Sequence, residues 1–370
     1  MAVSDGLLRV SDIPFVDANR IVRRGGLVVP LSFDGERVGS PRRHSVWWSG
    51  GLPCDVDGRP LRHLGHEPDA RRPADGIEID HLLCVKPRGR EFDDYHELVT
   101  TYVALLSAPA LSIQPDATAR RSGGRGSVNL DPSPFRYVDT ATTRSGVGAL
   151  ADGLRGTTIG IVGLGGTGSY VLDLVAKTPV RTIHLFDGDT FEQHTAFRTP
   201  GAATAQEVNA GRTKVAHLSD VYSRMHGGIV AHPVRIDPRT VPLLDVCDFV
   251  FVCIDDAEAK PTIVDRLAAR SIPFVDVGMG LTFTDRGLRG AVRTTYSDAA
   301  GHARALETIP VIGHGNPLYA SNIQLADLNS LNAALAVIRW KRHVGFYPAS
   351  CATTGVFVVD DGHLHIDDGG

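Results

Sequence analysis

Lysine is nearly missing from this chain. It occurs only at Lys86, Lys177, Lys214, Lys260 and Lys341, and arginine supplies the rest of the 38 cationic residues. An excess of positive charge is missing too. Against 42 acidic residues the formal net charge is -4, which excludes a global basic field for nucleic acid. The five cysteines, Cys54, Cys84, Cys247, Cys253 and Cys351, are widely spaced and form no CxxC pair. That spacing argues against a disulfide framework and against a four-cysteine zinc clip, and it fits a reducing, cytoplasmic setting. Long apolar runs are also lacking. The densest, Phe249 to Ile254, is far too short to span a bilayer, and Met1 to Val10 carries no charged-then-apolar signal pattern. What is present is ordinary globular composition, 42% hydrophobic and 22% charged over 370 residues, for which the length prior is two domains.

Two kinds of pattern divide the chain. In the first, Leu27 to Phe33, His44 to Trp48 and Glu78 to Val85 read as strands, and Tyr95 to Leu106 reads as a helix stopped before Pro109. Residues 114–135, with Arg120-Arg121, Gly123-Gly124 and Asp131-Pro132-Ser133-Pro134, form the best linker candidate. The expected division is therefore a smaller α+β domain over residues 1–130 and a second domain over 131–370. From Thr157 onward, short apolar runs alternate with helical spacing: Thr157 to Val162, Gly168 to Lys177, Thr182 to Phe186, Val246 to Ile254, Lys260 to Arg270 and Pro273 to Val277. That alternation predicts a Rossmann-like α/β domain, a mostly parallel sheet with helices on both faces. A long helix over Ala320 to His343 and a closing hairpin around Asp361-Gly362 complete the expectation.

The central motif is Gly163-Leu164-Gly165-Gly166-Thr167-Gly168, between a predicted strand and a predicted helix. Glycines permit a tight turn and close backbone approach, and the helix N-terminus favours a phosphate. Asp187 ends the next strand, where a carboxylate meets ribose hydroxyls. Farther on come Asp189, Thr195, Arg198, Lys214 at a helix start and Asp255-Asp256 after the buried strand. This set gives two cations for a triphosphate and a carboxylate able to hold Mg²⁺. A nicotinamide oxidoreductase on the same sheet has no use for Arg198, Lys214 and Asp255, whereas an ATP-using nucleotidyltransferase needs them. Keeping lysine at 214 in a chain so poor in lysine points the same way, since a compact ammonium is a common phosphate partner. Lys260 reads instead as a solvated or helix-capping residue.

On GLGGTG, FDGDTF…FR, the GRTK helix start and CIDD, residues 145–345 resemble the E1/ThiF/MoeB superfamily of adenylating enzymes. The resemblance implies ATP bound by Gly163, Gly165, Gly166 and Gly168, ribose by Asp187, phosphates by Arg198 and Lys214, and Mg²⁺ by Asp255. Asp189 and Thr195 join the implied nucleotide contacts, and Thr195 stands where many relatives carry Asn. An arginine that reaches the γ-phosphate precedes the glycine loop in such enzymes; Arg144 is the favoured candidate over Arg136. The implied reaction joins the C-terminal carboxylate of a ubiquitin-like protein or peptide with a flexible tail to AMP. Transfer to a thiol, and then to an E2-like acceptor, is a further implied step, for which Cys351 is the candidate beyond Asp255. The paired CxxC zinc site of many relatives is absent. A homodimer is implied, and neither membrane nor nucleic acid is an expected partner. Other acceptors, a small carboxylate or tRNA, and a non-catalytic nucleotide-binding scaffold are the alternatives.

The first domain resembles a domain of unknown function found ahead of bacterial ThiF domains, on HSVWWSGGLPC, HLLCVKP and DYHELVTTYVALLSAPA. That resemblance implies partner binding. His44, His63, His66 and His81 match no tight metal-ligand spacing. Trp47 and Trp48 point to opposite faces of a strand, one toward the core and one toward a candidate contact. Cys54 and Cys84 are candidates for exposed thiols. The closing Gly369-Gly370 is similar to a ubiquitin-like tail, although a frayed terminus is the commoner reading.

Overall fold

Short β-forming runs bounded by glycine and proline build the first part of the chain into strands. The computed structural model describes all residues except 35–36, 66, 70–72, 74–76, 87–89, 120–132, 146, 257, 300, 304, 306–308, 310–322, 349–353, 360–361 and 368–370. It divides into two units, Met1–Asp152 and Gly153–Gly370.

In the first unit the strands are β1 (Ala2–Ser4), β2 (Leu7–Val16), β3 (Val22–Pro30), β4 (Phe33–Asp34), β5 (Arg37–Val38), β6 (Ser45–Ser49), β7 (Glu67–Pro68) and β8 (His81–Cys84). Six of them form an antiparallel sheet in the order β1-β2-β3-β6-β8-β7. Helix α1 (Tyr95–Ile113) begins where the Asp94 side chain accepts a hydrogen bond from Glu97 N. It runs through Pro109 rather than stopping before it. Pro109 lies near the helix end, so a single backbone bond is lost, while Leu106 and Ala110 on either side are fully buried. Phe15, Trp48, Leu98, Tyr102 and Leu106 pack together on one face of the sheet. Trp47 packs with Leu7, Val28, Ile77 and Ile79 on the other. Both tryptophans are thus core, and the candidate contact expected at one of the two is not found: both faces of β6 are covered. Cys54 is buried as well, whereas Cys84 is exposed. Two short helices follow, α2 (Thr140–Ser145) and α3 (Gly148–Asp152).

In the second unit β9 (Thr158–Val162) and β12 (Phe249–Val252) are buried at every position, as parallel strands covered on both faces must be. With β10 (Thr182–Phe186), β11 (Ile229–His232), β13 (Phe274–Thr284), β14 (Gly287–Ser297), β15 (Thr354–Val358) and β16 (Leu364–Asp367), they form one sheet ordered β11-β10-β9-β12-β13-β14-β15-β16. The five strands from β11 to β13 are parallel, and β14, β15 and β16 extend the sheet antiparallel. The helices are α4 (Gly166–Val175), α5 (Gln193–Ala196), α6 (Ala205–Asn209), α7 (Lys214–Tyr222), α8 (Ala259–Ala269) and α9 (Ala326–His343). Val171, Leu172 and Val175 of α4 pack with Val215 and Leu218 of α7 and Trp340 of α9 against one face. Ile263, Val264 and Leu267 of α8 pack against Val250, Val252 and Phe274 on the other. This is the Rossmann-like architecture expected, with an antiparallel extension that the sequence reading indicated only at its final hairpin. Among the described residues no helix is long and apolar enough to cross a membrane.

Candidate nucleotide site

The chain leaves β9, builds β10 and β11 on one side, then returns to build β12 and β13 on the other. The sheet's switch point therefore lies between β9 and β12, where open α/β sheets bind ligands beyond the carboxyl ends of the strands. The glycine loop follows β9 at that point. Gly163 has φ +85°, and a Cβ there would lie 2.6 Å from Cys253 O, so two constraints demand glycine. A Cβ on Gly168 would run into Gly163 O, and one on Gly166 into the Asn329 side chain. These three glycines are explained by packing. Gly165 is not: its Cβ would meet nothing nearer than Gln324 Oε1 at 4.0 Å. Open space above a loop glycine at a helix N-terminus is what close backbone approach to a phosphate requires.

Asp187 follows β10 and is almost fully buried. Its Oδ2 accepts a hydrogen bond from Leu164 N at 2.7 Å and its Oδ1 one from Asp189 N at 2.8 Å. One carboxylate thus ties the glycine loop to the β10 crossover. Lys214 opens α7, where the Thr213 side chain accepts from Ala216 N, and Lys214 N donates to Asp189 O. Its Nζ lies 2.8 Å from Asp189 Oδ2 and 3.5 Å from Asp187 Oδ2, with the lysine side chain 7% exposed. An ammonium has three donors, and two carboxylates leave one for a ligand.

Asp189 also takes Arg235 Nη2 at 2.7 Å on its other oxygen. The Lys214 ammonium chiefly, and Arg235 second, hold the Asp189 carboxyl below its ordinary range. Because the folded-state pKa is depressed, this stability is present above the ordinary carboxylate pKa and is lost as pH falls through that range. Asp189→Asn is therefore expected to lower unfolding stability at neutral pH by roughly 1 kcal/mol after solvent screening, a difference that closes below about pH 4. Urea unfolding of both proteins across pH checks this. Spacing does not reveal Arg235, because it follows β11 while Asp189 follows β10, and only folding brings the two together.

Arg198 lies after α5, its backbone N donating to Thr195 O. Its Nε is buried without a hydrogen-bond partner among the described residues, and so is Oγ1 of the fully buried Thr195. Asp255 follows β12 and is exposed, with no side-chain partner among the described residues, whereas Asp256 Oδ1 accepts from Glu258 N and Ala259 N and so caps α8. The tandem acids divide their roles: Asp256 is structural and Asp255 is left open to solvent. No group of three metal-ligating side chains occurs among the described residues. One free carboxylate nonetheless suits Mg²⁺, which keeps waters and takes further oxygens from phosphates.

The structure thus brings Asp187, Asp189, Lys214 and the glycine loop into one bonded cluster, and it puts Asp255 after the neighbouring strand β12. Arg144 lies in α2 of the first unit. Cys351 falls outside the described residues, as do His66 and Gly369-Gly370. Burial pushes the Cys247 thiol up to about 12 and raises Cys253 as well, so neither is a ready nucleophile. Lys260 is not the solvated residue expected. It is buried, with Nζ 2.7 Å from Asp276 Oδ1 on β13.

A glycine loop at the switch point, a buried acid after the next strand and a buried lysine beside it belong to a Rossmann-like domain. Comparison with known proteins makes it more particular: residues 145–322 match the ThiF family, so the chain carries a ThiF-family domain, and residues 1–140 match a domain of unknown function, DUF6791. Ubiquitin-like modifier-activating enzyme 5 of Caenorhabditis elegans is 28% identical over 141 residues, 35% of this chain and 33% of that protein. Its Caenorhabditis briggsae counterpart is 25% identical over 180 residues, 45% of this chain and 41% of that protein. The chain therefore spans well under half the length of these curated relatives. Among solved structures, E. coli MccB with ATP gives TM-score 0.46 at 16% identity, covering 61% of this chain and 69% of that one. PaaA gives TM-score 0.46 at 16% identity, covering 59% and 74%.

Proposed function

We propose that this protein adenylates the C-terminal carboxylate of a ubiquitin-like protein or flexible-tailed peptide, using ATP and Mg²⁺. The observation that carries the reading is that groups in the connections following β9, β10 and β12 are left incomplete among the described residues. Arg198 Nε is a buried donor without an acceptor, Asp255 is an acid without a cation, and Gly165 faces open space. A metal–triphosphate supplies the missing partner of each. The ThiF match and the two activating-enzyme relatives support the same class.

In this reading Gly163, Gly165, Gly166 and Gly168 present backbone to the phosphates, and Asp187 meets the ribose. Arg198 and the third donor of Lys214 neutralise phosphate charge, and Thr195 lends a hydroxyl beside them. Asp189 holds Lys214 in place. Asp255 holds Mg²⁺, which when bound spreads the charge of the departing phosphates. A tail carboxylate oxygen bonds to the α-phosphorus, the α–β bond breaks, and pyrophosphate leaves with the electron pair. Arg144, brought by a second copy in a homodimer, serves the γ-phosphate. Cys351 receives the acyl group before an E2-like acceptor, the first domain binds the partner, and the setting is cytoplasmic. Pyrophosphate–ATP exchange tests the core of the reading. Exchange that requires a partner ending in glycine supports it; tight ATP binding with no exchange from any carboxylate-ended partner points to a scaffold instead.

A further inference from the structure

Asp276 takes no part in the reaction just described, yet it is a fully buried carboxylate. Its Oδ1 lies 2.7 Å from Lys260 Nζ and its Oδ2 2.6 Å from Arg293 Nη2, both cations being 8% exposed at the side chain. Arg293 also donates to Thr295 Oγ1, while its Nε has no partner among the described residues. Two cations share one anion, so the cluster carries net positive charge in a poorly solvated place. Such a cluster is weak as a stability device, since apolar packing serves as well.

Its position suggests another purpose. Val252, the last residue of β12, pairs in register with Asp276 of β13. Lys260, in the first turn of α8, reaches the Asp276 side chain, and its N donates to Asp256 O. One residue therefore grips both ends of the connection that carries Asp255, by its backbone at the start and by its carboxylate at the finish. The connection that Lys260 N closes on Asp256 O bears three acids, Asp255, Asp256 and Glu258.

We propose that Asp276, with Lys260 and Arg293, is a positioning cluster that holds the β12–α8 connection so that Asp255 meets Mg²⁺ in a fixed place. This rests on the metal role assigned to Asp255 above. Lys260→Met is the informative variant, because it leaves the neutral Asp276–Arg293 pair intact and does not strand a buried charge. Two measurements on the full chain decide. Amide exchange at Cys253–Asp256, made without nucleotide, is expected to quicken in Lys260→Met and to return in Lys260→Arg. In calorimetric titrations with ATP, the Mg²⁺ concentration for half-maximal enhancement is expected to rise about tenfold, the size typical of lost outer support for a ligand. Affinity for ATP in the absence of metal stays as in the wild type. Unchanged amide exchange sinks the grip itself. Faster exchange with an unaltered Mg²⁺ requirement, or equal loss with and without metal, reduces the cluster to scaffolding and overturns the proposal. Wild-type protein that binds ATP without metal dependence overturns the Asp255 assignment instead, and the exchange measurement then stands apart from it.

Discussion

Arg198→Ala is expected to lower pyrophosphate exchange by about 10²–10³-fold, the usual loss when a preorganised donor to developing charge is removed. The reason lies in what Arg198 does not do in the protein alone. Its backbone N donates to Thr195 O, but its buried Nε finds no acceptor among the described residues, so truncation breaks no side-chain hydrogen bond there. Thermal stability should accordingly change little. Arg198→Lys should recover only a small part of the activity, because a point charge cannot reproduce a planar fork of donors. Lys214→Ala makes a different case. It leaves Asp187 and Asp189 with one cation fewer, so lost exchange would come mixed with lost stability. Melting curves run beside the exchange assay separate the two. If Arg198→Ala melts early in proportion to its lost exchange, Arg198 is structural and the triphosphate assignment fails with it.

Much of this site could be read from local sequence, and the misses share a cause. The glycine loop, Asp187 and Asp255 each stand next to a short buried strand, so spacing alone located them. Spacing alone does not show that Lys260 is buried, because its partner Asp276, shared with Arg293, lies on a later strand that only folding brings near. Arg235 and Asp189 escaped as a pair for the same reason. The long hairpin of β13 and β14 was cut short at Val277, where glycines begin. Those glycines mark close packing and not a strand end. A Cβ on Gly278 would lie 3.0 Å from Arg293 Nη2, and one on Gly290, at φ +143°, would run into Gly280 O. Alternation puts Trp47 and Trp48 on opposite faces, but it does not show that Ile77 and Ile79 cover the face of Trp47.

The glycine loop offers the second large effect, as a contrast between neighbouring positions. Gly168→Ala should destabilise the second unit by about 1–3 kcal/mol or more, the cost of overpacking a tight site. Its Cβ meets the backbone carbonyl of Gly163, which cannot swing away as a long side chain could. Gly163 is itself pinned, its N donating to Phe186 O and its φ at +85°. Relief would have to pull α4 off β9, and with it the buried Val171, Leu172 and Val175. Gly165→Ala makes a different case. Its Cβ enters open space, so nothing is overpacked, and the cost to the fold is backbone strain alone, on the order of 1 kcal/mol, because φ −71° with ψ −136° lies outside the regions L residues favour. The methyl group occupies the place where a phosphate would approach the loop, and ATP affinity should fall by roughly tenfold or more, since each 1.4 kcal/mol of lost contact is a factor of ten. Melting curves and ATP titrations of the two variants give four numbers. A folded Gly165→Ala protein that still binds ATP like the wild type would place the nucleotide somewhere other than above this loop. A Gly168→Ala protein that melts normally would mean that the approach of α4 to Gly163 is looser than the packing requires.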